Sequence, residues 1–361
     1  MAAGQPPAPQ IAYFTTGFVS RFATQLAQRR VVRQLVRDER IDLVHQPMPV
    51  SPREPSMLVG FGVPVIIGPM NGGMDYPPGF RRERSLAERA LLGFGRRCAG
   101  LLNLLMPGKR RAEMLLVANQ RTRDALPPGV CPRVLEMVEN GVDLSLWRTD
   151  DAEHAVPGAL VTYAFVGRLV DWKAVDLLLH AFAQASRTMP MALVVIGDGV
   201  DRAALERLAT DLSIVASHEG APGVRFAGWM PQAECARRLQ AADALVLPSL
   251  LECGGAVVLE AMAMGKPVIA TAWGGPLDYL DERCGVLVAP TGRDAFVQGL
   301  ADAMVRLAGS PALRREMGRQ GRDKVRGDYD WEVKVDRMVA VYRHAIRRKM
   351  PGEARWPAKV S

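Results

Sequence analysis

The stretch Ala244–Thr271, ALVLPSLLECGGAVVLEAMAMGKPVIAT, decides the fold of this chain. Its first four residues are apolar and stop at Pro248, a pattern that predicts a buried parallel strand running into a loop. Helix-forming residues follow at 256–264, Gly265 predicts the end of the helix, and PVIAT predicts a second buried strand. The stretch is therefore a strand–helix–strand unit, the building block of a parallel sheet.

The start of the predicted helix has two features that suit a phosphorylated ligand. Backbone N–H groups near Gly255, Ala256 and Val257 lack partners at a helix start and form a phosphate seat. Glu260 lies one turn further on, on the same side of the helix, where its carboxylate can accept hydrogen bonds from two neighbouring hydroxyls, such as those of a ribose. Glu252 lies just outside the helix start, where the far end of a diphosphate ligand is expected.

A second candidate binding loop is FVGRLVDWK, residues 165–173. Gly167 ends a predicted strand and has no side chain to keep a ligand away from the backbone. Arg168 and Lys173 flank the turn into the next helix, where two cations can neutralise a diphosphate without a metal ion. A surface Arg and Lys in an ordinary loop are the alternative. We favour function because this loop and the first unit share one edge of the predicted sheet.

The rest of the chain predicts an α/β protein of two domains. Strands alternate with helices from residue 161 to 288, as in a right-handed βαβ series with a parallel sheet. The first half has shorter predicted strands and a short predicted helix, at residues 41–45, 64–68, 114–119 and 133–138, and at residues 56–60. The polar run RTDDAEHAVPGA at 148–159 predicts a linker. We expect an N-terminal domain over 1–150, a C-terminal domain over 151–330, and a last helix with a basic tail over 331–361.

The composition is that of an ordinary globular protein. Of the 361 residues 48% are hydrophobic and 23% charged, and the net charge is +8. Five cysteines without a Cys-x-x-Cys pair argue against a disulfide framework or a zinc site and predict a reducing, cytoplasmic environment. The net charge permits nucleic acid as a partner, but no basic segment is interleaved with aromatic residues as in a stacking platform, so we expect none.

Several motifs resemble other sites but fit them poorly. Gly197-Asp-Gly199 starts a dinucleotide fingerprint, yet Arg202 replaces its third glycine, so a nicotinamide site is disfavoured. Asp328-Tyr-Asp330 is a lone D-x-D in which Asp330 is better placed to cap a helix than to bind a metal. The histidines lack metal-binding spacing, so we expect no metal site. His45, at a strand end on the ligand side, is a possible substrate contact.

The segment Arg81–Arg111 contains nine Lys or Arg residues against two acids, interleaved with leucines. A helix with its apolar face in the core explains this pattern and is favoured. A basic amphipathic surface lying on anionic lipid is the alternative, which implies peripheral attachment to the inner face of a membrane.

Taken together, the motifs resemble the retaining glycosyltransferases of family 4. Glu252 and Glu260 are separated by seven residues, as in the E-x7-E signature of that family. The segments that also match in order and spacing are FVGRLVDWKAVDLLLHAF, VVIGDG, RFAGWM, ENGVD and DYDWEVKVDRMVAVY. The likeness runs from about Ile41 to Tyr342. It implies the GT-B fold, in which two Rossmann-like domains face each other across a cleft and a C-terminal helix crosses back to the N-domain.

The resemblance also implies ligands and roles. A UDP- or GDP-sugar donor would bind the C-terminal domain, and a saccharide or lipid-linked saccharide acceptor would bind mainly the N-terminal one, as in envelope or exopolysaccharide assembly. Arg168 and Lys173 would take the diphosphate, and Glu260 the ribose. Glu252 would take the sugar together with the backbone of residues 253–256. The backbone near Met230 would read the base. No cofactor or metal is implied, and the anomeric configuration would be kept, with the leaving phosphate helping to deprotonate the acceptor.

Three departures from the family pattern stand out. Gly254 occupies a place where the family usually has an aromatic residue, which loosens the sugar pocket and leaves the donor open. Pro69-Met-Asn-Gly-Gly73 replaces a loop that often carries a histidine, so Asn71 and the glycine backbone are expected to contact the acceptor. By the family pattern, a complete N-domain would carry about two more βα units, roughly 60 residues, before the helix leading into Ile41, so we expect either a divergent start or missing first strands. The alternative function is therefore a catalytically impaired nucleotide-binding or partner subunit of a glycan-assembly complex.

Overall fold

The structure, a computed structural model, describes residues 8–47, 51–81, 99–148 and 160–348. Within them the strands are β1 (Val44–Gln46), β2 (Val65–Met70), β3 (Met114–Val117), β4 (Val134–Glu136), β5 (Val161–Val166), β6 (Met191–Ile196), β7 (Gly223–Gly228), β8 (Ala244–Leu247), β9 (Val268–Thr271) and β10 (Gly285–Val288). The nine predicted strands are thereby confirmed, with ends that differ by a few residues, and β10 is a further strand.

The described residues also form ten numbered helices. They are α1 (Ala8–Asp38), α2 (Gln120–Asp124), α3 (Val175–Ala185), α4 (Arg202–Asp211), α5 (Gln232–Ala241), α6 (Ala256–Ala263), α7 (Pro276–Tyr279), α8 (Arg293–Ala308), α9 (Pro311–Asp328) and α10 (Trp331–Arg347). Residues 99–105 are helical as well. Short 3₁₀ turns occur at Pro78–Phe80 and Asp171–Lys173.

The strands form two wholly parallel sheets. The first has the order β1-β2-β3-β4, and the second has the order β10-β9-β8-β5-β6-β7. In β8 and β9 every residue is buried, because strands covered by helices on both faces need apolar side chains on both. This topology confirms the predicted α/β class with Rossmann-like sheets.

The chain divides into two compact units. The first comprises residues 1–73, 84–139 and 337–361, and the second comprises residues 74–83 and 140–336. Helix α10 therefore starts among residues of the second unit and ends among residues of the first, as expected for a C-terminal helix that returns to the N-domain. The predicted linker lies outside the described residues apart from Arg148.

The C-terminal end of α10 is part of the core of the first unit. Val341 and Ala345 are fully buried against Ile66 and Leu116 of the sheet.

His45 is held inside the same unit. Its Nδ1 lies 2.6 Å from the Tyr342 hydroxyl and its Nε2 lies 2.6 Å from the Gly68 carbonyl oxygen. Since a carbonyl only accepts, Nε2 carries the proton and the tyrosine hydroxyl donates to Nδ1. These contacts hold the His45 ring in place, and its predicted contact with a substrate stays a prediction.

Candidate functional site

The candidate site lies in the second unit, at the carboxyl ends of its strands. The N–H of Gly167 donates to the Ile196 carbonyl at 3.0 Å, and the N–H of Gly197 donates to the Gly228 carbonyl at 2.8 Å. A Cβ on Gly197, whose φ is +134°, would overlap the carbonyl oxygen of Gly167. The glycine pair at 197 and 199 is thus explained by close packing of neighbouring loops, as expected for a tight turn.

The loop that follows β5 is held in an unusual conformation. After the 3₁₀ turn Asp171–Lys173, the buried Ala174 adopts a left-handed conformation with φ 51° and begins α3. That conformation costs a non-glycine residue about 1 kcal/mol, so surrounding contacts must hold it in place. One such contact joins the loop to the one after β8, where the N–H of Leu250 donates to the Trp172 carbonyl at 2.8 Å.

Lys173 and Glu252 form an ion pair between these two loops. Their side chains are only 17% and 13% exposed, so water screens the pair much less than it screens a surface pair. The structure thus brings together the predicted phosphate-binding cation and the predicted sugar-binding acid.

Arg168 lies in the loop after β5 and is exposed. Its guanidinium lies 5.9 Å from the centroid of the Trp172 ring, and it forms no ion pair with any residue that the structure describes. Stacking on Trp172 holds this cation in place while its hydrogen-bond donors stay available to an anion.

The start of α6 matches the predicted phosphate seat. Gly255 precedes the helix with φ 77° and ψ 54°, and no side chain caps it. A Cβ at Gly255 would lie 3.0 Å from Cγ of Glu252, so a glycine here suits both the backbone conformation and the close carboxylate. The first N–H groups of α6, from Ala256 and Val257, are therefore not occupied by a side-chain cap.

Glu260 is half-buried one turn into α6, and its carboxylate forms no hydrogen bond or ion pair within the described part of the chain. Burial raises the pKa of Glu260 to about 7, because the charged form loses hydration. A ligand that donates hydroxyl hydrogens to this carboxylate would stabilise its charged form. The predicted contact of Glu260 with a ribose stays a prediction.

A third loop, after β9, supports the backbone of Glu252, and we did not predict it. The N–H of Gly275 donates to the Glu252 carbonyl at 2.7 Å. A Cβ on Gly275 would overlap the carbonyl oxygens of Gly254 and Cys253. The signal that could have found it is Trp273-Gly-Gly275, a glycine pair directly after a buried strand at the same edge of the sheet.

The predicted base-reading residue, Met230, is half-buried in the loop after β7, beside Trp229, whose surface is 73% exposed. No contact tests its role.

Asp330 accepts a hydrogen bond from the Glu332 N–H at 3.3 Å, which fits the predicted helix cap. No group of three or more potential metal ligands occurs among the residues with described positions.

The first unit has a polar cluster after β2. Asn71 Nδ2 donates to Oε1 of Glu139 at 2.5 Å, and the N–H of Gly72 donates to the Thr122 hydroxyl at 3.1 Å. Asn71 is thus ordered by protein contacts, and its predicted contact with an acceptor stays a prediction.

Residues 148–324 match the family model described as Glycosyl transferases group 1, so this part of the chain carries such a domain. The chain is 33% identical over 227 residues to a D-inositol 3-phosphate glycosyltransferase of Segniliparus rotundus, covering 60% of this chain and 48% of that protein. It is 29% identical over 259 residues to glycogen synthase of Mycobacterium tuberculosis, covering 69% and 58%. The chain spans about half the length of the curated relatives it matches.

Solved structures share the fold. Anabaena HepE, in a complex with UDP, aligns with a TM-score of 0.61 and 18% identity over 87% of this chain and 81% of that one. Sucrose-phosphate synthase from Thermosynechococcus elongatus aligns with a TM-score of 0.57 and 24% identity over 79% and 69%. These likenesses confirm the two-domain Rossmann-like fold of the GT-B glycosyltransferases.

Proposed function

We propose that the chain is a retaining glycosyltransferase of family 4 that moves a sugar from a UDP- or GDP-sugar to a saccharide or lipid-linked saccharide acceptor, without a metal ion. The observation that carries this proposal is the Lys173–Glu252 ion pair, which lies beside the exposed guanidinium of Arg168 and the uncapped start of α6. The names of the relatives and the UDP bound to HepE support the same donor class.

The arrangement suggests how the donor is bound. The diphosphate would compete with Glu252 for Lys173 and would also take hydrogen bonds from Arg168 and from the start of α6. Glu252, released from Lys173, would accept hydrogen bonds from the hydroxyls of the sugar. Glu260 would hold the ribose and Met230 would lie beside the base. The ion pair of the ligand-free protein thus keeps both charges neutralised until a donor separates them.

The transfer step breaks the bond between the anomeric carbon and the phosphate oxygen and forms one to the acceptor oxygen on the same face. The configuration is kept because departure and attack occur on the same face, and the proton of the acceptor hydroxyl goes to the departing phosphate oxygen. Arg168 and Lys173 stabilise the charge that develops on the diphosphate, which is the main electrostatic demand of the reaction. Glu252 holds the sugar with its anomeric carbon facing the attacking oxygen.

Donor binding by isothermal titration calorimetry tests the assignment. We expect Arg168→Ala and Glu260→Ala each to weaken the binding of the preferred UDP- or GDP-sugar by about tenfold or more, since each removes a hydrogen bond to a charged group. Arg319 and Glu316 form an exposed ion pair on α9, so Arg319→Ala and Glu316→Ala are matched controls that should bind as the wild type does. The proposal is wrong if neither donor class binds the wild type, or if all four variants bind equally well.

A screen of donor hydrolysis across UDP- and GDP-sugars separates the enzyme from a nucleotide-binding partner subunit. An impaired subunit would bind a donor and leave it intact. The same screen identifies the sugar, which Gly254 leaves open.

Peripheral attachment to a membrane is a further part of the proposal. Leu101, Leu104 and Leu105 are 58%, 56% and 69% exposed on the helical residues 99–105. Arg110 and Arg111 are exposed nearby in the sequence. Residues 82–98, which hold the other part of the basic segment, lie outside the described residues. None of the described helices is both long and apolar enough to cross a bilayer.

Flotation with vesicles tests this attachment. The wild type should float with vesicles containing anionic lipid and lose binding in high salt, because basic side chains attract the surface and salt screens them. Leu104→Glu with Leu105→Glu should reduce flotation at low salt, whereas Val200→Glu, at a residue 88% exposed in the other unit, should not. Wild type that stays unbound at low salt would remove the membrane proposal.

A further inference from the structure

Residues 74–81, called the strap below, belong to the second unit although they come from the first half of the sequence. The strap lies against the loop after β9. The indole Nε1 of Trp273 donates to the Asp75 carbonyl at 2.8 Å. A Cβ on Gly274, whose φ is +72°, would lie 2.7 Å from Cε of Met74. One side of this loop is therefore fixed by the strap.

The same loop also contacts the candidate donor site. The N–H of Gly275 donates to the carbonyl of Glu252 at 2.7 Å. The same hypothetical Cβ on Gly274 would lie 2.5 Å from the Glu252 carbonyl oxygen, so Met74 and the backbone of Glu252 both lie close to Gly274. The backbone of Glu252 thus lies against a loop that the strap also contacts.

The far end of the strap is anchored independently. A Cβ on Gly79 would overlap the carbonyl of Thr291, so the strap backbone lies directly on the loop before α8. Phe80 packs edge to face on the buried Phe296, with ring centroids 5.8 Å apart. Arg81 Nε donates to the carbonyl of Tyr76 at 2.9 Å and closes the strap on itself. Contacts at both ends make the strap a fixed support.

We propose that the strap is a positioning element of the donor site, in which Met74 and Trp273 set the backbone of Glu252 through the loop after β9. This inference rests on the proposed function. The strap contacts neither Glu260 nor the loop of Met230 in any interaction described above. Its effect should therefore fall on the sugar and diphosphate end of a donor and spare the nucleoside end.

Two variants displace the strap without touching the donor-binding side chains. Trp273→Phe keeps an aromatic side chain but loses the indole N–H and with it the hydrogen bond to Asp75, and Gly79→Ala forces the strap away from Thr291. Gly292→Ala is the control, since it lies next to Thr291 in an extended conformation with open space around its Cβ. Circular dichroism and the melting temperature of each full-length variant establish that it folds. If Gly79→Ala does not fold, Trp273→Phe alone tests the inference.

The readout compares two ligands of the base that binds the wild type, the sugar nucleotide and the nucleoside monophosphate. We expect the strap variants to bind the sugar nucleotide about tenfold more weakly and the monophosphate unchanged, and to transfer or hydrolyse the sugar about 10- to 100-fold more slowly, because a small displacement of a positioning group has a large effect on rate. Gly292→Ala should match the wild type in all three measurements.

The outcomes separate this inference from the proposed function. If the wild type binds no sugar nucleotide, the proposed function falls and the strap inference with it. If the wild type binds the sugar nucleotide and the folded strap variants bind both ligands as tightly as the wild type does, only the strap inference is overturned. Equal weakening of both ligands would also overturn it, since that pattern belongs to a general loss of structure.

Discussion

Lys173→Ala should lower kcat/KM for the sugar nucleotide about 10²- to 10³-fold, the cost of removing one preorganised electrostatic contact to developing charge. The loss has two origins. The cation that neutralises the diphosphate is gone, and Glu252 is left without its partner in a site where both side chains are largely covered. Steady-state kinetics with the preferred donor, at saturating acceptor or with water as acceptor, measures the effect.

A matched control is available elsewhere in the same unit. Lys324 Nζ pairs with Oδ2 of Asp281 at 2.9 Å, with side chains 25% and 33% exposed. Lys324→Ala therefore breaks a similar ion pair and should keep kcat/KM within about twofold, since a partly exposed pair contributes roughly 1 kcal/mol or less to stability and nothing to donor binding. If Lys173→Ala and Lys324→Ala behave alike, Lys173 does not act on the donor.

Glu260 should make the ligand-free protein less stable as the pH rises from about 4.5 to 7. Its folded pKa of about 7 exceeds the ordinary value of 4.5, so the folded state holds the proton that the unfolded chain has already released. The folded state binds more protons across that window, and the free energy of unfolding therefore falls with pH, by at most about 3 kcal/mol for this residue. Glu260→Gln cannot titrate and should lose this part of the pH dependence.

Urea unfolding of the wild type and of Glu260→Gln at pH 5 and pH 8 measures the difference. Glu316→Gln is the control, since hydrogen bonds from Arg319 and Gln320 lower the pKa of Glu316 to about 2. That carboxylate is charged in both the folded and the unfolded state above pH 5, so its replacement should leave the slope unchanged between pH 5 and 8. A wild type and a Glu260→Gln variant with parallel pH profiles would contradict the buried, raised-pKa state of Glu260.

Donor binding should also change the protonation of Glu260. Ribose hydroxyls that donate to Glu260 favour its charged form, so donor binding should release a proton near pH 6. Calorimetry in buffers of different ionisation enthalpy would detect that proton.

The strands could be predicted from the sequence because buried strands are short local runs of apolar residues. The runs ALVL and VIAT lie in β8 and β9 with every residue buried. The helix predicted at residues 56–60 is wrong. There the N–H of Met57 donates to the side chain of Gln25 at 2.9 Å, and the Ser56 carbonyl accepts from the N–H of Gly108 at 2.9 Å. Distant partners satisfy the backbone groups that a helix would otherwise pair.

The candidate site shows the same division. Gly255 and Glu260 could be placed from spacing alone, since both lie in one strand–helix unit. The ion pair between Lys173 and Glu252 joins residues 79 apart, and the hydrogen bond from Trp273 to Asp75 joins residues 198 apart. No local pattern encodes such contacts, because they depend on how loops from different strands meet at one sheet edge.

The second unit is discontinuous in the sequence, and this has a consequence for engineering by domain exchange. A segment that begins near residue 140 carries the whole six-stranded sheet but lacks residues 74–83. Transplanted into a relative, it would depend on the host for a segment that fits the indole of Trp273, the backbone of Gly274 and the ring of Phe296. Compatible chimeras should therefore inherit this short stretch together with the sheet, as two transplanted segments rather than one.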